Sequence, residues 1–583
     1  MKKLSLLFLF VLAALAASAE STFTVSSPED DGSGTLRQLV AGVAAGDIIN
    51  IPANMVITLQ SPVNVEKSMT INGTDVTIKT TNPGNSTYRL FVLGSATGSS
   101  IQNISFNGIK FQGGDVRLNS DVTATAPMHG GVMLILKRVN LTLNDCKFTD
   151  SKAVRGGAIC TWDGQGFSSH IENCTFTGNS ASEYGGAIYF NRSQNTENAA
   201  GESVFVNTIF EGNISALASA IKINVPSRFR KCLFKENHGP DEITTAAGCG
   251  AFVCDDAGVA NVRLESCAFI GNNSRGTNPN VKHDGGSALV ANSMATTFFV
   301  TNCTFFNNIG SRGAIYLRYG KMFLVNNTIA GNTGYCSSDM LSGGLSGGTR
   351  TDAEISATCV NNIFAYNYAY KATDPAILRD MFVPSKVYIY GENNIIGMAK
   401  YTLSEGAFLA TKPVEFYYDE PQYEDPLFAQ YVNNDAALRI PVMDTETYTL
   451  PLAETGVATG KALVKAEVVD PEIEALIPLT DQRGLSRSTT TPSLGAYEYN
   501  TISGIKNILE QQERFIAGNR VNDYLILQNN LRIKKINIFD AMGKQIYAQT
   551  NPEALISLNI PAGLYIVIFN TAAGASSEKF IKL

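Results

Sequence analysis

A short motif that recurs between residues 140 and 367 constrains the fold of this chain more than any other feature. Its first half is Cys or Thr, any residue, then Phe, with Asn three positions later. Copies lie at 146–148, 174–176, 208–210, 232–234, 267–269 and 303–305, with weaker copies at 327–329 and 362–364. The Asn residues that follow are Asn179, Asn213, Asn237, Asn272, Asn308, Asn332 and Asn367, and the first copy has Ser151 instead. The second half, Gly-Gly-Ala-Ile or a variant of it, lies at 156–159, 185–188, 218–221, 285–289 and 313–315. Self-similarity of this kind is typical of a solenoid of stacked units.

The spacing of the motif indicates which kind of solenoid to expect. Successive copies are 24 to 36 residues apart, and the shortest spacing leaves room for about three short strands and tight turns. Because side chains alternate along a strand, Cys and Phe of each copy point to the same side. The sequence therefore predicts an all-β chain, a right-handed parallel β-helix with rungs about 4.8 Å apart. The Asn residues are expected to stack as a ladder of side-chain amides.

The repeat pair also resembles that of a known group of surface proteins. Phe-x-x-Asn followed by Gly-Gly-Ala-Ile is similar to the repeats of chlamydial polymorphic outer membrane proteins and of many β-helix surface proteins of Bacteroidetes. The resemblance covers about 230 residues. It implies a β-helix fold and display at the cell surface, but no particular activity, because β-helices include lyases, hydrolases and adhesins.

The N-terminus predicts export. Lys2 and Lys3 precede an apolar run, and small residues end at Ala19 with Glu20 after it, which is typical of a signal peptide cleaved between the two. The alternative is an uncleaved anchor. The apolar run is too short to span a bilayer, and no later stretch reaches about 18 apolar residues, so no transmembrane helix is predicted. The net charge of −7 argues against a nucleic-acid partner.

The remaining segments are assigned around the repeats. We expect a signal peptide at 1–19, an N-terminal cap and first rungs at 20–114, β-helix repeats at 115–400, a C-terminal cap at 401–500, a linker at 501–521 and a small antiparallel β-sandwich at 522–583. Residues 393–397 are expected to form the last rung. The cap contains 480–484 (Thr-Asp-Gln-Arg-Gly) and 494–498 (Leu-Gly-Ala-Tyr-Glu), which resemble the closing region of Bacteroidetes β-helix proteins, a segment that folds back over the last rungs.

The C-terminal segment resembles the sorting domain of type IX (Por) secretion cargo. The matching stretches are 538–544, 560–566 and 579–583. Their motif residues are Gly543, Lys544, Gly563, Tyr565, Lys579 and Lys582. The resemblance implies that the type IX secretion machinery is a partner, that the protein crosses the outer membrane, and that it reaches the cell surface or the medium. The alternative is a carbohydrate-binding sandwich, although this segment contains no Trp.

Candidate catalytic residues are few. β-helix lyases need carboxylates that hold Ca²⁺ and a Lys or Arg base, and hydrolases need several carboxylates around one bond. The weak candidates are Asp255, Asp256, Lys282, His283 and Asp284. Acidic pairs in loops are more often solvated turn residues. No metal site or cofactor is predicted, and Ca²⁺ is expected only if the chain is a lyase.

Two functions from different classes remain. The favoured one is a non-enzymatic, adhesin-type surface protein that binds a glycan or a host surface protein. The alternative is a secreted polysaccharide lyase or glycoside hydrolase that acts on an acidic polysaccharide. The enzyme requires at least three carboxylates, or two with a Lys or Arg, to converge on one flank.

Two further residue types leave alternatives open. Five of the ten Cys residues fall at the inward position of the repeat, where Cys serves as a small apolar residue, but disulfides are not excluded. The better disulfide candidates are Cys249 with Cys254 and Cys336 with Cys359, in loops. Trp162, the only Trp, is expected to pack at a rung edge, with stacking on a sugar as the alternative.

Overall fold

The computed structural model of this chain has two compact units, Met1–Tyr499 and Asn500–Leu583. The residues that the structure describes are 20–118, 128–192, 200–240, 250–255, 261–274, 285–335, 342–348, 355–370, 377–384, 387–397, 399–401, 408–410, 415–416, 427–430, 441–499, 520–521, 524–527, 533–540, 544–553, 555–571 and 574–582. The predicted signal peptide up to Ala19 lies outside them.

The first unit is a parallel β-helix, as predicted, and its strands form three faces. Face A contains Val56–Leu59, the ends of Met69–Thr80 and Gln102–Gln112, Lys147–Thr149, Thr175–Thr177, Ile209–Glu211, Leu233–Lys235, Ala268–Ile270, Thr304–Phe306, Thr328–Ala330, Ile363–Ala365, Ile395–Ile396 and Glu415–Phe416. Face B contains Val63–Val65, Phe91–Leu93, Met133–Ile135, Ile159–Thr161, Ile188–Phe190, Ile221–Ile223, Phe252–Cys254, the starts of Leu289–Thr301 and Ile315–Val325, Leu345–Gly347, Met381–Val383 and Ala399–Tyr401. Face C contains Thr22–Thr24, Ile48–Asn50, the starts of Met69–Thr80 and Gln102–Gln112, Val139–Asn144, Ser168–Glu172, Ser203–Val206, Ser227–Arg230, Asn261–Glu265, the ends of Leu289–Thr301 and Ile315–Val325, Ile355–Val360, Val387–Glu392 and Phe408–Ala410.

A narrow ladder of shorter strands lies between faces A and B. Its strands are Lys152–Arg155, Ser180–Tyr184, Ile214–Ser215, Ile309–Gly310, Thr333–Tyr335, Tyr368–Tyr370 and the antiparallel Ile377–Leu378. Single bridges at His238 and Asn273 continue the ladder where no strand is formed.

The repeat motif sets the register of face A. Phe148 pairs with Phe176, Phe176 with Phe210, and the pairing continues in register to Ile396 and Phe416. The rings stack nearly parallel, with 4.5 Å between the centroids of Phe148 and Phe176. Ile396 pairs with Phe416, which belongs to one further rung after residues 393–397. The prediction that 393–397 form the last rung is therefore wrong.

The turn between faces C and A explains why Asn often stands directly before the Cys position of the repeat. The residue before the Cys position has a left-handed backbone, with φ of 53° at Asn173 and 62° at Asn302. Asn tolerates this conformation better than most residues with a side chain. The Cys residues that follow, Cys146, Cys174, Cys232, Cys267 and Cys303, are buried free thiols in the core.

The expected disulfide positions need a correction. Cys254 lies in a strand of face B and Cys359 in a strand of face C, and both side chains are buried in the core rather than placed in loops. Cys359 is a free thiol. Cys249 and Cys336 lie outside the described residues.

The Asn ladder forms as predicted. At Asn272, Nδ2 donates to Asn308 Oδ1 (2.9 Å) and to the Phe234 carbonyl (2.8 Å), while Oδ1 accepts from the backbone N–H and Nδ2 of Asn237. The same pattern runs from Asn179 to Asn367 over seven fully buried amides, whose polar groups are all bonded to neighbouring rungs. Its C-terminal end is Asp380, whose carboxylate accepts from the backbone N–H and Nδ2 of Asn367.

The expected C-terminal cap lies on the side of the solenoid. We call residues 427–430 and 441–499 the flank segment. Its Phe428, Leu452 and Tyr497 pack on the outward side of face A, against residues that include Leu233 and Phe306. It contains a short helix, Pro471–Glu474, and a 3₁₀ turn, Lys465–Glu467. The outward residues of face A are apolar at these rungs. The side of the solenoid therefore presents the apolar surface that the flank segment covers.

The other end of the solenoid carries a short helix. Leu36–Gly42 is capped by Thr35, whose hydroxyl accepts from the Gln38 N–H (3.3 Å), and it buries Leu36 and Val40 against the first rungs. A 3₁₀ turn, Val116–Leu118, is another short helical element among the residues that the structure describes. No helix among the described residues is long and apolar enough to cross a membrane.

The second unit is a largely antiparallel β-structure, as expected, in which only the short strand Arg520–Val521 pairs in parallel among the described strands. Its strands are Arg520–Val521, Tyr524–Ile526, Ile533–Asp540, Gln545–Thr550, Leu555–Ser557, Gly563–Thr571 and Gly574–Lys582. They form a five-stranded sheet and a two-stranded sheet around a core that includes Ile536, Val567 and Phe580.

Candidate functional site

Of the five weak catalytic candidates, the structure describes Asp255 alone. Asp256, Lys282, His283 and Asp284 lie outside the described residues. Asp255 directly follows the face B strand Phe252–Cys254. Its Oδ2 lies 2.9 Å from Lys222 Nζ, and its Oδ1 accepts from Asn224 Nδ2 (3.2 Å).

Lys222 is an unusual residue for its position. It lies in the outward row of face B, which in register order reads Leu134, Cys160, Tyr189, Lys222, Val253, Val290 and Tyr316. Lys222 is only 5% exposed, and burying a charge without a partner is costly. Two contacts offset this cost: the ion pair with Asp255 and a cation–π contact, in which Nζ lies 3.6 Å from the Tyr184 ring centroid.

A second ion pair lies on the same aromatic ring. Arg155 Nε donates to Glu183 Oε2 (2.8 Å), and its guanidinium carbon lies 5.2 Å from the Tyr184 centroid. Arg155 and Tyr184 are register partners on adjacent strands, Lys152–Arg155 and Ser180–Tyr184. Unlike Lys222, both members of this pair are substantially exposed, at 38% for Arg155 and 45% for Glu183.

His129 and Trp162 continue this group toward the N-terminus. His129 bridges Arg155 in the next rung, and its ring centroid lies 5.8 Å from that of Trp162. Burial, together with the nearby Arg155, lowers the pKa of His129 to about 4, so the ring is neutral at pH 7. Trp162 is 42% exposed, so the packing expected for it at a rung edge leaves much of its ring in solvent.

These residues form one continuous surface, which we call the face B patch. It consists of His129, Arg155, Trp162, Glu183, Tyr184, Lys222 and Asp255. They come from five successive rungs, whose face B strands are Met133–Ile135 to Phe252–Cys254. At about 4.8 Å per rung the patch is about 19 Å long.

The chemistry of the patch is that of paired charges around aromatic rings. Two carboxylates, one Lys and one Arg meet around Tyr184, a combination that a lyase could use. Yet removing the proton from Lys222 would cost both its ion pair with Asp255 and its contact with Tyr184. Among the described residues no three His, Cys, Asp or Glu side chains are grouped to hold a metal ion.

Sequence reasoning missed most of the patch, although one signal was available. The residue after Gly-Gly-Ala-Ile, or after its variant at 218–221, points outward, and it is Cys160, Tyr189 and Lys222 in three successive rungs. A Lys in a row of apolar residues marks the place where a charge is buried. Arg155, Glu183 and Tyr184 lie between the motif halves, at the ends of the strands Lys152–Arg155 and Ser180–Tyr184, where the motif specifies no residue.

The residues of the proposed sorting motif lie in the second unit. Gly563 pairs with Lys582, and Lys579 with Ile566, on two antiparallel strands. Tyr565 is buried beside Phe580, and its hydroxyl donates to the Pro561 carbonyl (2.8 Å). The Lys544 N–H donates to Asp540 Oδ1 (2.9 Å) at the hairpin. Gly543 lies outside the described residues.

Comparison with known proteins bears on the fold only. No protein-family model matches the sequence, and no curated protein matches it. Similar solved structures include ORF18 of Geobacillus virus E2 (13% identity, 57% of this chain and 60% of that chain, TM-score 0.32). Others are a rhamnogalacturonan lyase (12%, 84% and 98%, TM-score 0.27) and a PL6 family alginate lyase (11%, 86% and 61%, TM-score 0.29). This chain therefore spans about 60% of the length of the first of these structures and of the PL6 lyase.

Proposed function

We propose that this chain is a non-enzymatic, cell-surface binding protein whose face B patch binds a carbohydrate. The observation that carries the proposal is the exposed Trp162 at one end of a row of half-exposed hydrogen-bonding groups. An exposed indole ring offers an apolar platform for a sugar ring. The exposed Arg155, Glu183 and Asp255 beside it offer donors and acceptors for hydroxyl groups.

A lyase is the second candidate, because two carboxylates and two cations meet around Tyr184. It would require Lys222 to act as a neutral amine within the patch. Ca²⁺ would be its cofactor only in that case. Incubation with uronate polymers, with and without Ca²⁺, distinguishes the two candidates, because a lyase leaves an unsaturated sugar at each cut.

Replacement of Trp162 by Ala is expected to weaken glycan binding about 10-fold or more, since the platform for the sugar ring is lost. Binding would be measured by titration calorimetry with oligosaccharides selected on a glycan array. The matched control is Phe23→Ala, which removes another exposed aromatic residue (36% exposed) from face C at the first rung. The control should bind as the native protein does.

Two results would contradict the proposal. One is glycan binding that Trp162→Ala leaves unchanged, which would place the ligand elsewhere. The other is the appearance of unsaturated products from a uronate polymer, which would make the chain an enzyme.

We also propose that the chain is exported by the type IX secretion machinery and displayed outside the outer membrane. The support is the resemblance of residues 538–544, 560–566 and 579–583 to the sorting domain of such cargo. A chain that lacks residues 522–583 should stay behind the outer membrane, as judged by its resistance to protease added to intact cells. Full-length Trp162→Ala is the control and should remain accessible. Surface exposure of the shortened chain would refute this route.

A further inference from the structure

We infer that the ligand of the face B patch is an uncharged, extended saccharide chain, an inference that rests on the function proposed above. It follows from how the charges of the patch are already used and from how the patch is laid out along the solenoid.

The cations of the patch are already paired. Arg155 makes its side-chain hydrogen bond to Glu183, and Lys222 is held between Asp255 and the Tyr184 ring. Lys222 is too deeply buried to reach a ligand above the surface. Arg89 also lies near His129, but it is only 4% exposed and has its own interactions. Both cations of the face B patch, Arg155 and Lys222, therefore already have a carboxylate partner.

The groups that do reach solvent include two carboxylates. Glu183 is 45% and Asp255 30% exposed, so both lie at the surface that a ligand would touch. Arg155 already pairs with Glu183 through Nε. A ligand carboxylate bound to the Nη groups of Arg155 would therefore lie beside the carboxylate of Glu183 and share one cation with it. Like charges placed together at an interface are a common means of excluding a wrong ligand. A sugar hydroxyl, which both donates and accepts, fits the adjacent guanidinium and carboxylate without repulsion.

The layout of the patch indicates a chain rather than a single sugar. Trp162 follows the strand Ile159–Thr161 and Asp255 follows Phe252–Cys254 at the C-terminal end of the patch, so the two lie three rung steps apart, or about 14 Å. The polar groups between them come from successive rungs, so a ligand that contacts all of them must extend along the axis of the solenoid. Affinity should therefore rise with the number of linked sugars.

The test uses matched pairs of oligosaccharides on an array and in calorimetry. Each pair is a neutral hexasaccharide, such as a β-1,4-linked glucose or mannose chain, and the same chain oxidised at C6 to the uronate. We expect the native protein to bind a neutral member at least 10-fold more tightly than its oxidised partner, and the hexamer more tightly than the dimer. Glu183→Gln should reduce the discrimination, mainly through tighter binding of the oxidised chain. A purely structural role of Glu183 would weaken both members alike.

Glu211→Gln is the matched control. Glu211 is a half-exposed carboxylate that pairs with Lys235 (2.7 Å) on face A, away from the patch, so its replacement should leave the discrimination unchanged. An oxidised chain that binds as tightly as the neutral one, or more tightly, overturns this inference and leaves the proposed function standing. A dimer that binds as tightly as the hexamer overturns the extended binding mode. If no member of any pair binds, both the inference and the proposed function fail.

Discussion

Replacement of Asn272 by Ala should lower the free energy of unfolding of the solenoid by about 3–5 kcal/mol. Asn272 lies in the middle of the ladder, fully buried, and its amide bonds to groups in both neighbouring rungs. Without it, the Asn237 amide and the Phe234 carbonyl lose partners in a core that holds no replacement. Each buried group left without a partner costs about 1–3 kcal/mol.

Chemical denaturation measures the change, and amide hydrogen exchange locates it. The matched control is Asn140→Ala, because Asn140 also makes cross-rung bonds, to Asn103 (2.9 Å) and Ser168 (2.6 Å), but on the outer side of face C. Water can replace those bonds, so the control should lose less than about 1 kcal/mol. If the two variants were equally stable, the ladder would contribute nothing beyond ordinary surface bonds.

Replacement of Arg487 by Met should destabilise the docked flank segment by about 3–5 kcal/mol. Arg487 is 4% and Glu498 2% exposed at the side chain, and the two lie 3.3 Å apart. Arg487 Nη2 also donates to Asn302 Oδ1 (2.7 Å), and this hydrogen bond links the flank segment to the β-helix. Burial lowers the pKa of Arg487 and raises that of Glu498, and the attraction between the two groups opposes both effects.

The expected readout is release of the segment rather than loss of the solenoid. Limited proteolysis should cut within 441–499 faster in Arg487→Met than in the native chain, and apolar dyes should bind the outward side of face A. The double variant Arg487→Met, Glu498→Leu removes both charges together and should recover part of the stability. A double variant less stable than either single variant would show that the pair stabilises the segment by more than mutual neutralisation.

The sequence predicts the interior of this solenoid well because the interior is periodic. Phe176 and Phe210 are in register because each occupies the same place in a motif that must bury its apolar side at every rung. The Asn ladder follows for the same reason, since Asn213 and Asn237 are both placed three residues after a core Phe. Regular spacing thus fixes which side chains stack.

The exterior was harder to predict because each contact there is made once. The position of the flank segment depends on single contacts, such as Thr304 Oγ1 to Gln482 Oε1 (2.6 Å). A signal existed in the middle residue of Cys/Thr-x-Phe, which is polar at Lys147 and Thr175 but apolar at Leu233 and Ala268. This change marks where face A is covered. The pairing of Lys222 with Asp255, 33 positions apart, depends on loop lengths that no repeat specifies.

Asp380 restricts where in the solenoid new repeats can be inserted. Every amide from Asn179 to Asn332 accepts from the rung before it and donates to the rung after it, so a rung copied between them would find both partners in place. An ionised carboxylate can only accept. A rung inserted after Asp380 would meet a side chain that accepts from Asn367 but cannot donate to the next Asn, as the amides of the ladder do. Gene duplication can therefore lengthen this protein from within, while its C-terminal end stays fixed.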